Sequence, residues 1–466
     1  MTAGQHPPAE RLPVCVAAGN PVTADVGARL LAEGGSAADS AVGMILASCV
    51  AETVFTGLGG GGFATYYEAT TGTVSCLDFF VAVPGLGGTR RAPAVEIPID
   101  FGGQIVPYAV GPSTVAVPGI PAGVAGLHER WGRLPWADVV SPAVHHAEHG
   151  VLLAPMHAKV LSTIAPAMLI GTGIEVYGRD GASLPAGSLL QHPGLDAAMT
   201  LLRDEGAQAF YSGRIAETMV GTIGDRGDLT EADLRAYRIA ESAPRASVLD
   251  GVEVLARGDD LDDLLGTIGA LELCDDNAEL ARRMVAVLRA VPRRGDTTSV
   301  AASDQDGNLC AATTSMGLSS GVWLPGYGIH LNSMLGEGEL LREALRPGER
   351  MGSMMSPLIV RRDGGALLVA GAAGGSRIRS ALTQVLVNVI HRGMPIHEAI
   401  VAPRFNPVPG RVHAEPGLAP EVVAALRADD EVVSWPALDS YFGGVAAIDR
   451  TGPGADPRRG GDTRTL

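Results

Sequence analysis

Three glycines in the first part of the chain, Gly57, Gly59 and Gly62, satisfy the Gly-x-Gly-x-x-Gly spacing of dinucleotide-binding loops. Such a loop binds a pyrophosphate only when it follows a strand and opens a helix, because the helix N–H groups hold the phosphates. Here a helical pattern precedes the glycines and a strand-like segment, FATYYE, follows them. We therefore interpret the run as a place where backbones pack closely, and predict no nucleotide or other cofactor.

A second pattern, Gly317, Ser319 and Gly321, matches the Gly-x-Ser-x-Gly nucleophile elbow of α/β-hydrolases. The elbow requires a helix directly after the serine. The residues that follow, VWLPGYGIHLN, contain a proline and two glycines that would break a helix. The pattern therefore favours an ordinary loop. The Arg-Gly-Asp tripeptide at 226–228 lies beside a predicted helix cap and is interpreted as a chance match to an adhesion motif.

The cysteines do not indicate a metal site. They stand far apart, at positions 15, 49, 76, 274 and 310, and form no Cys-x-x-Cys pair. Neither a zinc site nor a disulfide framework is therefore predicted, and their odd number suits a reducing compartment.

The composition and charge argue against several classes of protein. The 466 residues are 46% hydrophobic and 18% charged, which is typical of a globular protein. The formal charge of −16 argues against nucleic-acid binding, which requires a basic face. The N-terminal residues lack the apolar core of a secretion signal, and the apolar stretch at 41–51 is too short to cross a bilayer. We therefore predict a cytoplasmic protein with no membrane partner.

The hydrophobic spacing predicts two consecutive helices near the N-terminus. Thr23 is the predicted N-cap of the first, and a capping box of Ser36 and Asp39 opens the second. The Gly- and Pro-rich segment 83–121 is predicted to be a loop. Segment 259–294 is charged and favours helices, and Thr230 with a following aspartate predicts a further capping box.

Strand signals dominate after residue 296. TTSVAAS and LCAATTS flank a turn at Asp306-Gly307, and PLIVRR and ALLVAG flank a second turn. A helix closed by Gly393 follows. No repeat or linker divides the chain, so the pattern predicts helices layered on antiparallel sheets.

Several segments together resemble the γ-glutamyltranspeptidase family, in the right order and over nearly the whole chain. They are AEGGSAADSAV at 32–42, GLGGGGF at 57–63, AVPGIPAGVAGLHERWG at 116–132, DTTSVAASDQDGN at 296–308, GSMMSPLIV at 352–360, VAGAAGGSRI at 369–378, EAIVAPRFN at 398–406 and ADPRRGG at 455–461. The stretch before residue 296 looks shorter than is usual in the family.

The resemblance implies an α+β fold, the four-layer αββα sandwich of N-terminal nucleophile hydrolases, made as a precursor that cuts itself before a threonine. By motif match this residue is Thr297, so the large subunit is 1–296 and the small subunit 297–466 of one intertwined unit. A threonine hydroxyl is a weak nucleophile without a base. The new α-amino group, with a pKa of about 7.7–8.0, can be that base. Thr298 is then an ordinary strand threonine, which is also the alternative interpretation of Thr297.

The same resemblance suggests the groups around the nucleophile. Gly374 and Gly375 match the glycine pair whose backbone N–H groups form the family's oxyanion hole. Ser315 matches a family threonine whose hydroxyl orients the nucleophile, and serine keeps that hydroxyl. No metal ligand is expected.

The chain departs from the family where the α-carboxylate and α-amine of a γ-glutamyl group are recognised. The family's DFRE reads DFFV here, an asparagine is replaced by glycine, NNQMDDF reads NSMLGEG, and a serine pair is reduced to Ser-Met. The substrate-binding positions concerned are Phe80, Gly317, Met334, Glu337, Ser353 and Met354. Arg90 and Arg91, about ten residues beyond Phe80, are arginines that could fold back to it.

Because the catalytic segments are retained while the glutamyl contacts are largely lost, we expect an active enzyme with a more apolar acyl pocket and a small-molecule substrate. One possibility is hydrolysis or transfer of an acyl group on nitrogen, as in the parent family, including conventional cleavage of glutathione-like γ-glutamyl amides. The other is hydrolysis of a C–C bond, as in actinomycete homologues that act on a dopa-derived intermediate of alkylproline biosynthesis. A scaffold without activity is disfavoured by the retained segments.

Overall fold

Two antiparallel sheets stacked face to face form the centre of the protein. The computed structural model describes residues 11–89, 92–100, 105–289, 297–338, 340–341 and 345–466. Arg90, Arg91 and the residue before Thr297, Asp296, lie outside these ranges.

The α-helices lie on the outer faces of the sheets and in the connections between strands. In chain order they are Pro21–Ala32 (α1), Ala37–Ala51 (α2), Ile120–Trp131 (α3), Trp136–His149 (α4), Pro155–Met168 (α5), Gly173–Tyr177 (α6), Leu195–Glu205 (α7), Gln208–Tyr211 (α8), Arg214–Ile223 (α9), Glu231–Ala236 (α10), Leu264–Ala270 (α11), Asn277–Leu288 (α12), Arg377–Leu386 (α13), Ile396–Val401 (α14) and Pro420–Asp429 (α15). Within the described ranges, no helix is both long and apolar enough to cross a bilayer.

The strands contribute to two large sheets and several short pairings. In chain order they are Cys15–Ala18 (β1), Gly61–Glu68 (β2), Thr73–Phe79 (β3), Val95–Asp100 (β4), Ile105–Val110 (β5), Val151–Leu152 (β6), Gly178–Arg179 (β7), Ala182–Ser183 (β8), Leu189–Leu190 (β9), Ala240–Ser242 (β10), Arg245–Leu249 (β11), Val252–Ala256 (β12), Thr298–Ser303 (β13), Leu309–Ser315 (β14), Trp323–Leu324 (β15), Ile329–His330 (β16), Leu358–Arg362 (β17), Gly365–Ala373 (β18), Phe405–Val408 (β19), Arg411–Ala414 (β20), Glu431–Ser434 (β21), Gly444–Asp449 (β22), Gly452–Ala455 (β23) and Asp462–Thr465 (β24).

The layers follow from the strand orders and their contacts. The first sheet has the order β10-β3-β2-β14-β13-β1-β24, and the second has the order β11-β12-β17-β18-β22-β23. Strands β13 and β14 pack on β18 and β22 across the two sheets. Helix α2 covers the outer face of the first sheet, while α11 and α13 cover the second. The fold is therefore the four-layer αββα sandwich that the family resemblance implies.

Successive side chains of β13 point into two different apolar regions of the core. Val300 and Ala302 pack under helix α2, whereas Ala301 packs between the sheets with Ile359 and Val369. Successive side chains of a strand point to opposite faces, so one strand serves both apolar regions. All residues of α2 are buried, which explains why its sequence is apolar all round.

The structure confirms the strand pair after residue 296 and the capping box of Ser36 and Asp39. The prediction that Thr23 caps the first helix is wrong. Asn20 is the N-cap, and its side chain accepts a hydrogen bond from the Val22 N–H. The helix begins earlier because proline is well tolerated in its first turn, where no backbone donor is needed.

The prediction of a loop over 83–121 is wrong in part. Strands β4 and β5 pair within it, with Pro98 directly opposite Pro107. Both prolines lie in a two-stranded pairing, where a missing backbone donor is tolerated far better than in a central strand. The prolines therefore concealed a real alternation of apolar and polar residues in the segment 95–100.

Candidate active site

Thr297 lies immediately before β13 and is buried, with 3% of its surface exposed. Its Oγ1 accepts a hydrogen bond of 2.8 Å from the backbone N–H of Gly374. The two residues come from different sheets, since Gly374 follows β18. The sandwich therefore brings together the predicted nucleophile and one of the predicted oxyanion-hole glycines.

Gly374 and Gly375 form the turn between β18 and α13, and only glycine suits the first position. Their φ angles are +123° and +58°. A Cβ on Gly374 would lie 2.8 Å from the Cα of Gly443. The conformation turns the Gly374 N–H away from the sheet ladder and toward Thr297, while the carbonyl groups of both glycines accept from the first turn of α13.

Ser315 ends β14 beside the start of β13. Thr298 pairs with Thr314, so continuing the antiparallel register by one residue puts Ser315 opposite Thr297. The Ser315 hydroxyl accepts a hydrogen bond of 3.1 Å from the Gly317 N–H. The predicted orienting residue is thus a cross-strand neighbour of the predicted nucleophile.

Phe80 lies at the same end of the neighbouring strands as Ser315 and Thr297. Ser315 pairs with Gly61, and the β2–β3 register then places Gly61 beside Phe80. A Cβ on Gly61 would lie 2.9 Å from the Phe80 Cα, so the two backbones are in contact. Since neighbouring strands lie about 4.7–4.9 Å apart, Phe80 is three strand spacings, about 14 Å, from Thr297.

Three of the predicted substrate-binding positions share one buried apolar cluster. Phe80, Met334 and Met354 are 1%, 1% and 4% exposed and belong to the cluster that lines the second sheet. The Phe80 ring stacks on Phe63 with centroids 5.4 Å apart. All three side chains are therefore packed inside the core with almost none of their surface exposed.

Gly317 and Glu337 lie in direct contact. Gly317 has a φ of +73°, and a Cβ there would stand 2.2 Å from Glu337 Oε1 and 2.8 Å from Ser333 Oγ. Glu337 is itself buried, at 3% exposure. The carboxylate thus occupies the space that a larger side chain at position 317 would need.

Ser353 lies in the turn before β17, and its hydroxyl is used locally. It accepts a hydrogen bond of 3.2 Å from the Met355 N–H. The backbone carbonyl of Ser353 accepts from the Leu261 N–H at 2.9 Å. Ser353 is therefore tied to its own turn and to the segment before α11.

A cation does lie beside Phe80, but it comes from elsewhere in the chain. Arg350 donates a hydrogen bond of 2.6 Å to the Phe80 carbonyl, and its Nε lies 3.3 Å from Asp78 Oδ1. Burial raises the pKa of Asp78, while the Arg350 charge opposes the shift. No pattern around residue 350 signals this contact, because it joins segments 270 residues apart.

Thr298 is the first residue of β13, as predicted, and its hydroxyl also makes a specific buried contact. Its Oγ1 donates a hydrogen bond of 2.5 Å to Oε2 of Glu52, which is fully buried at the end of α2. Oε1 of the same carboxylate accepts from Thr23 at 2.6 Å. Sequence reasoning missed Glu52, although a single acidic residue within the apolar run ASCVAETVF was a usable signal.

The two motifs set aside at the start have structural roles. A Cβ on Gly59 would lie 2.2 Å from the His330 carbonyl oxygen, so that glycine allows backbones to approach closely. Ser319 is fully buried, its hydroxyl contacts His330, and the following element is the short strand β15. Neither a phosphate loop nor a nucleophile elbow is formed.

Among the described residues, one group of side chains has the spacing of metal ligands. His145, Glu148 and His149 are exposed near the end of α4, with ligand atoms within 4.8 Å of one another. These residues do not line the cavity beside Thr297. The site chemistry described above rests on hydroxyl, carboxylate and backbone groups.

A four-layer αββα sandwich with helices outside two antiparallel sheets defines the class of N-terminal nucleophile hydrolases, and the protein is an enzyme of that class. The chain belongs to the gamma-glutamyltranspeptidase family, whose model matches residues 23–260 and 272–465.

Characterised relatives are similar over most of their length. The glutathione hydrolase 5 proenzyme of Rattus norvegicus is 26% identical, with 94% of this chain and 89% of the relative aligned. The acylase ACY 1 proenzyme of Pseudomonas sp. strain SE83 is 27% identical, with 93% and 89% aligned. The solved structure of cephalosporin acylase from Bacillus halodurans superposes with a TM-score of 0.81 at 21% identity, over 100% of this chain and 98% of that one, and supports the fold.

Proposed function

We propose that Thr297 is the nucleophile of a self-processing hydrolase, that Gly374 and Gly375 are its oxyanion-hole donors, and that Ser315 positions the nucleophile. The hydrogen bond of 2.8 Å between the Gly374 N–H and Thr297 Oγ1 carries the proposal. A tetrahedral oxyanion forms on the carbon bonded to Oγ1. A donor this close to Oγ1 is therefore within reach of the developing charge as well.

Maturation on this proposal cuts the bond between Asp296 and Thr297. Thr297 Oγ1 attacks the Asp296 carbonyl carbon, the C–N bond breaks, and the released amine carries a proton from the hydroxyl. Water then hydrolyses the resulting ester. The products are a large subunit, 1–296, and a small subunit, 297–466, which remain associated because each of the two sheets contains strands of both subunits.

Catalysis then uses the group that maturation creates. The free α-amine of Thr297 accepts the hydroxyl proton while Oγ1 attacks the substrate carbonyl. The Gly374 and Gly375 N–H groups stabilise the oxyanion, and the leaving group takes the proton as its bond to the carbonyl carbon breaks. A water molecule, activated by the same amine, hydrolyses the acyl-threonine ester and regenerates the enzyme.

The proposed substrate is not a simple γ-glutamyl compound. Phe80, Met334 and Met354 are apolar and belong to one buried cluster, at the positions where the family resemblance places contacts to the charged ends of glutamate. We propose instead hydrolysis of a C–C bond next to a ketone in a conjugated, dopa-derived intermediate of specialised metabolism. Attack at the ketone forms the ester, and the broken C–C bond leaves its electron pair on the conjugated fragment, which takes a proton.

The competing function is conventional hydrolysis or transfer of γ-glutamyl groups, as the name of the Rattus norvegicus relative indicates, or acylase activity, as the name of the Pseudomonas relative indicates. Incubating the purified, processed enzyme with a γ-glutamyl anilide and, in parallel, with the dopa-derived ketone decides between them. We expect turnover of the ketone. Preferential release of the anilide would replace this substrate proposal by the conventional one.

The hydrolysis rate should depend on pH through the Thr297 amine. An α-amino group has an ordinary pKa of about 7.7–8.0, and only its neutral form accepts the hydroxyl proton. Activity should therefore fall about tenfold per pH unit below the amine pKa. Measuring kcat/KM from pH 5 to 9 tests this, and a rate that stays flat well below neutral pH would indicate another base.

Gly374→Ala should lower kcat about 10²–10³-fold, the usual effect of losing one oxyanion-hole donor. A Cβ would contact Gly443, and the φ of +123° is unfavourable for alanine, so the N–H would turn away. Gly410→Ala is a matched control, since Gly410 also has a positive φ, +76°, but a Cβ added there would meet no atom within 4 Å. Its kcat should stay close to that of wild type. Comparable kcat losses in both variants would contradict the assignment.

A further inference from the structure

Glu52 is a fully buried carboxylate directly behind the start of β13. It caps the C-terminal end of α2 and receives hydrogen bonds from Thr298 at 2.5 Å and from Thr23 at 2.6 Å. The packing around it leaves little room, because a Cβ on Gly19 would stand 2.5 Å from Glu52 Oε2 and 2.7 Å from Thr298 Oγ1. A charged group held this tightly inside an apolar helix layer requires an explanation.

Thr297 and Thr298 point to opposite faces of the first sheet. The Thr298 hydroxyl is bound to Glu52 in the helix layer, whereas the Thr297 hydroxyl meets Gly374 of the second sheet. Side chains alternate along a strand, so fixing one residue to its face also fixes the direction of its neighbour. The carboxylate therefore acts on Thr297 through the single peptide unit that separates the two threonines.

We propose that Glu52 and Thr298 form a positioning pair that holds Thr297 in the orientation needed for self-cleavage and for later attack on substrate. This inference rests on the proposed role of Thr297 as nucleophile. It also explains why Thr297 and not Thr298 would act as the nucleophile, since the Thr298 hydroxyl already donates a hydrogen bond to Glu52.

The cavity beside the pair links it to the oxyanion-hole turn. Glu52, Thr297, Thr298 and Arg459 line one cavity between the layers. A Cβ on Gly374 would lie 3.3 Å from Arg459 Nη2, so this guanidinium lies beside the predicted oxyanion-hole turn, and its charge also acts on Glu52. The positioning pair and the proposed oxyanion hole thus lie near the same guanidinium.

The groups that face Glu52 determine its titration. Burial raises the pKa of the carboxyl above its ordinary value, and the two threonine hydrogen bonds and the Arg459 charge oppose that shift. Burial and Glu52 together raise the pKa of the Cys49 thiol. Burial lowers the pKa of His157 to about 4, so it is neutral near pH 7, and Asp456 also lines the cavity. Glu52 is therefore the carboxyl expected to lose its charge above the ordinary glutamate range as pH falls.

The experiment follows self-cleavage of the full-length chain made by cell-free synthesis. Glu52→Gln and Thr298→Val should cleave at least tenfold more slowly than wild type, because the hydrogen bond that orients the segment is weakened or lost. Thr298→Ser keeps the hydroxyl and should cleave within about twofold of wild type. Thr65→Val is the matched control, since Thr65 is buried in the same sheet and its hydroxyl donates to the Pro357 carbonyl at 2.7 Å.

The pH profile separates a positioning role from a purely structural one. In the precursor the nitrogen of Thr297 is part of a peptide bond and does not titrate, so an acid limb of self-cleavage cannot come from the amine. The self-cleavage rate of wild type should fall as the pH is lowered, with a midpoint above about pH 4.3, the ordinary glutamate value. The rate of Glu52→Gln should not show this fall. Equal rates for Thr298→Val and Thr298→Ser, or an unchanged limb in Glu52→Gln, would overturn the inference. Normal cleavage of Thr297→Ala in the same assay would instead overturn the proposed nucleophile.

Discussion

Replacing Thr297 by alanine should leave the purified chain as one uncut polypeptide without hydrolase activity. The proposed nucleophile and, after cleavage, the proposed base both belong to this residue, so one substitution removes both functions. We expect activity to fall at least about 10³-fold, as when the nucleophile of other covalent hydrolases is removed. Denaturing electrophoresis and intact mass measure the processing, and wild type should give fragments that correspond to 1–296 and 297–466.

Ser303→Ala provides the matched control for that experiment. Ser303 is buried at the other end of the same strand, and its hydroxyl makes no hydrogen bond to any described residue. This variant should process and turn over substrate like wild type. Processing of Thr297→Ala at the wild-type position and rate would show that another residue performs the cleavage.

Glutathione and other simple γ-glutamyl substrates should be turned over poorly or not at all. Hydrogen bonds to charged groups contribute about 1.5–3 kcal/mol each. The family's polar contacts are replaced at Phe80, Gly317 and Met334, and losing three such hydrogen bonds corresponds to a decrease in kcat/KM of about 10³-fold or more. A substrate with a conjugated, non-glutamyl portion should be preferred, because Phe80, Met334 and Met354 are apolar at the positions where the family resemblance places the glutamyl contacts. The measurement is kcat/KM for both substrate types, and efficient glutathione hydrolysis by wild type would contradict the prediction.

Phe80→Arg by itself should not restore glutamyl activity. Gly317 and Met334 would remain changed, and position 80 is 1% exposed within an apolar cluster. A guanidinium there would be buried among apolar side chains and would destabilise the fold by several kcal/mol. Phe80→Leu is the control, since it keeps an apolar side chain and should keep the same order of substrate preference. Strong glutathione hydrolysis by Phe80→Arg would mean that one cation is sufficient.

Local patterns in the sequence were enough to predict many of the individual elements. The strand pair around Asp306-Gly307 and the capping box at Ser36 and Asp39 depend on residues close together in the chain, and both are confirmed. Helical and strand periodicities likewise indicated helices on antiparallel sheets. Prolines 98 and 107 concealed a strand pair because local composition does not reveal that a strand has only one partner.

The roles suggested for Thr297, Gly374 and Gly375 were predicted from their motifs, and they stay predictions until the variants are measured. Their proximity could not be read from the sequence. The hydrogen bond between Thr297 and Gly374 joins residues 77 apart, because β13 and β18 belong to different sheets that stack face to face. The order of strands within each sheet decides such contacts, and alternation along a strand carries no information about that order.

The sequence was therefore enough to suggest which residues belong to the site. Which residues they contact was decided by the tertiary structure alone. Glu52 meets Thr298 across 246 residues, and Arg350 meets the Phe80 carbonyl across 270. No local pattern predicts which residues pair, since each pair forms only when the helix layer or a distant loop packs against the first sheet. A buried charge depends on a partner of this kind for its stability, and only the folded chain supplies it.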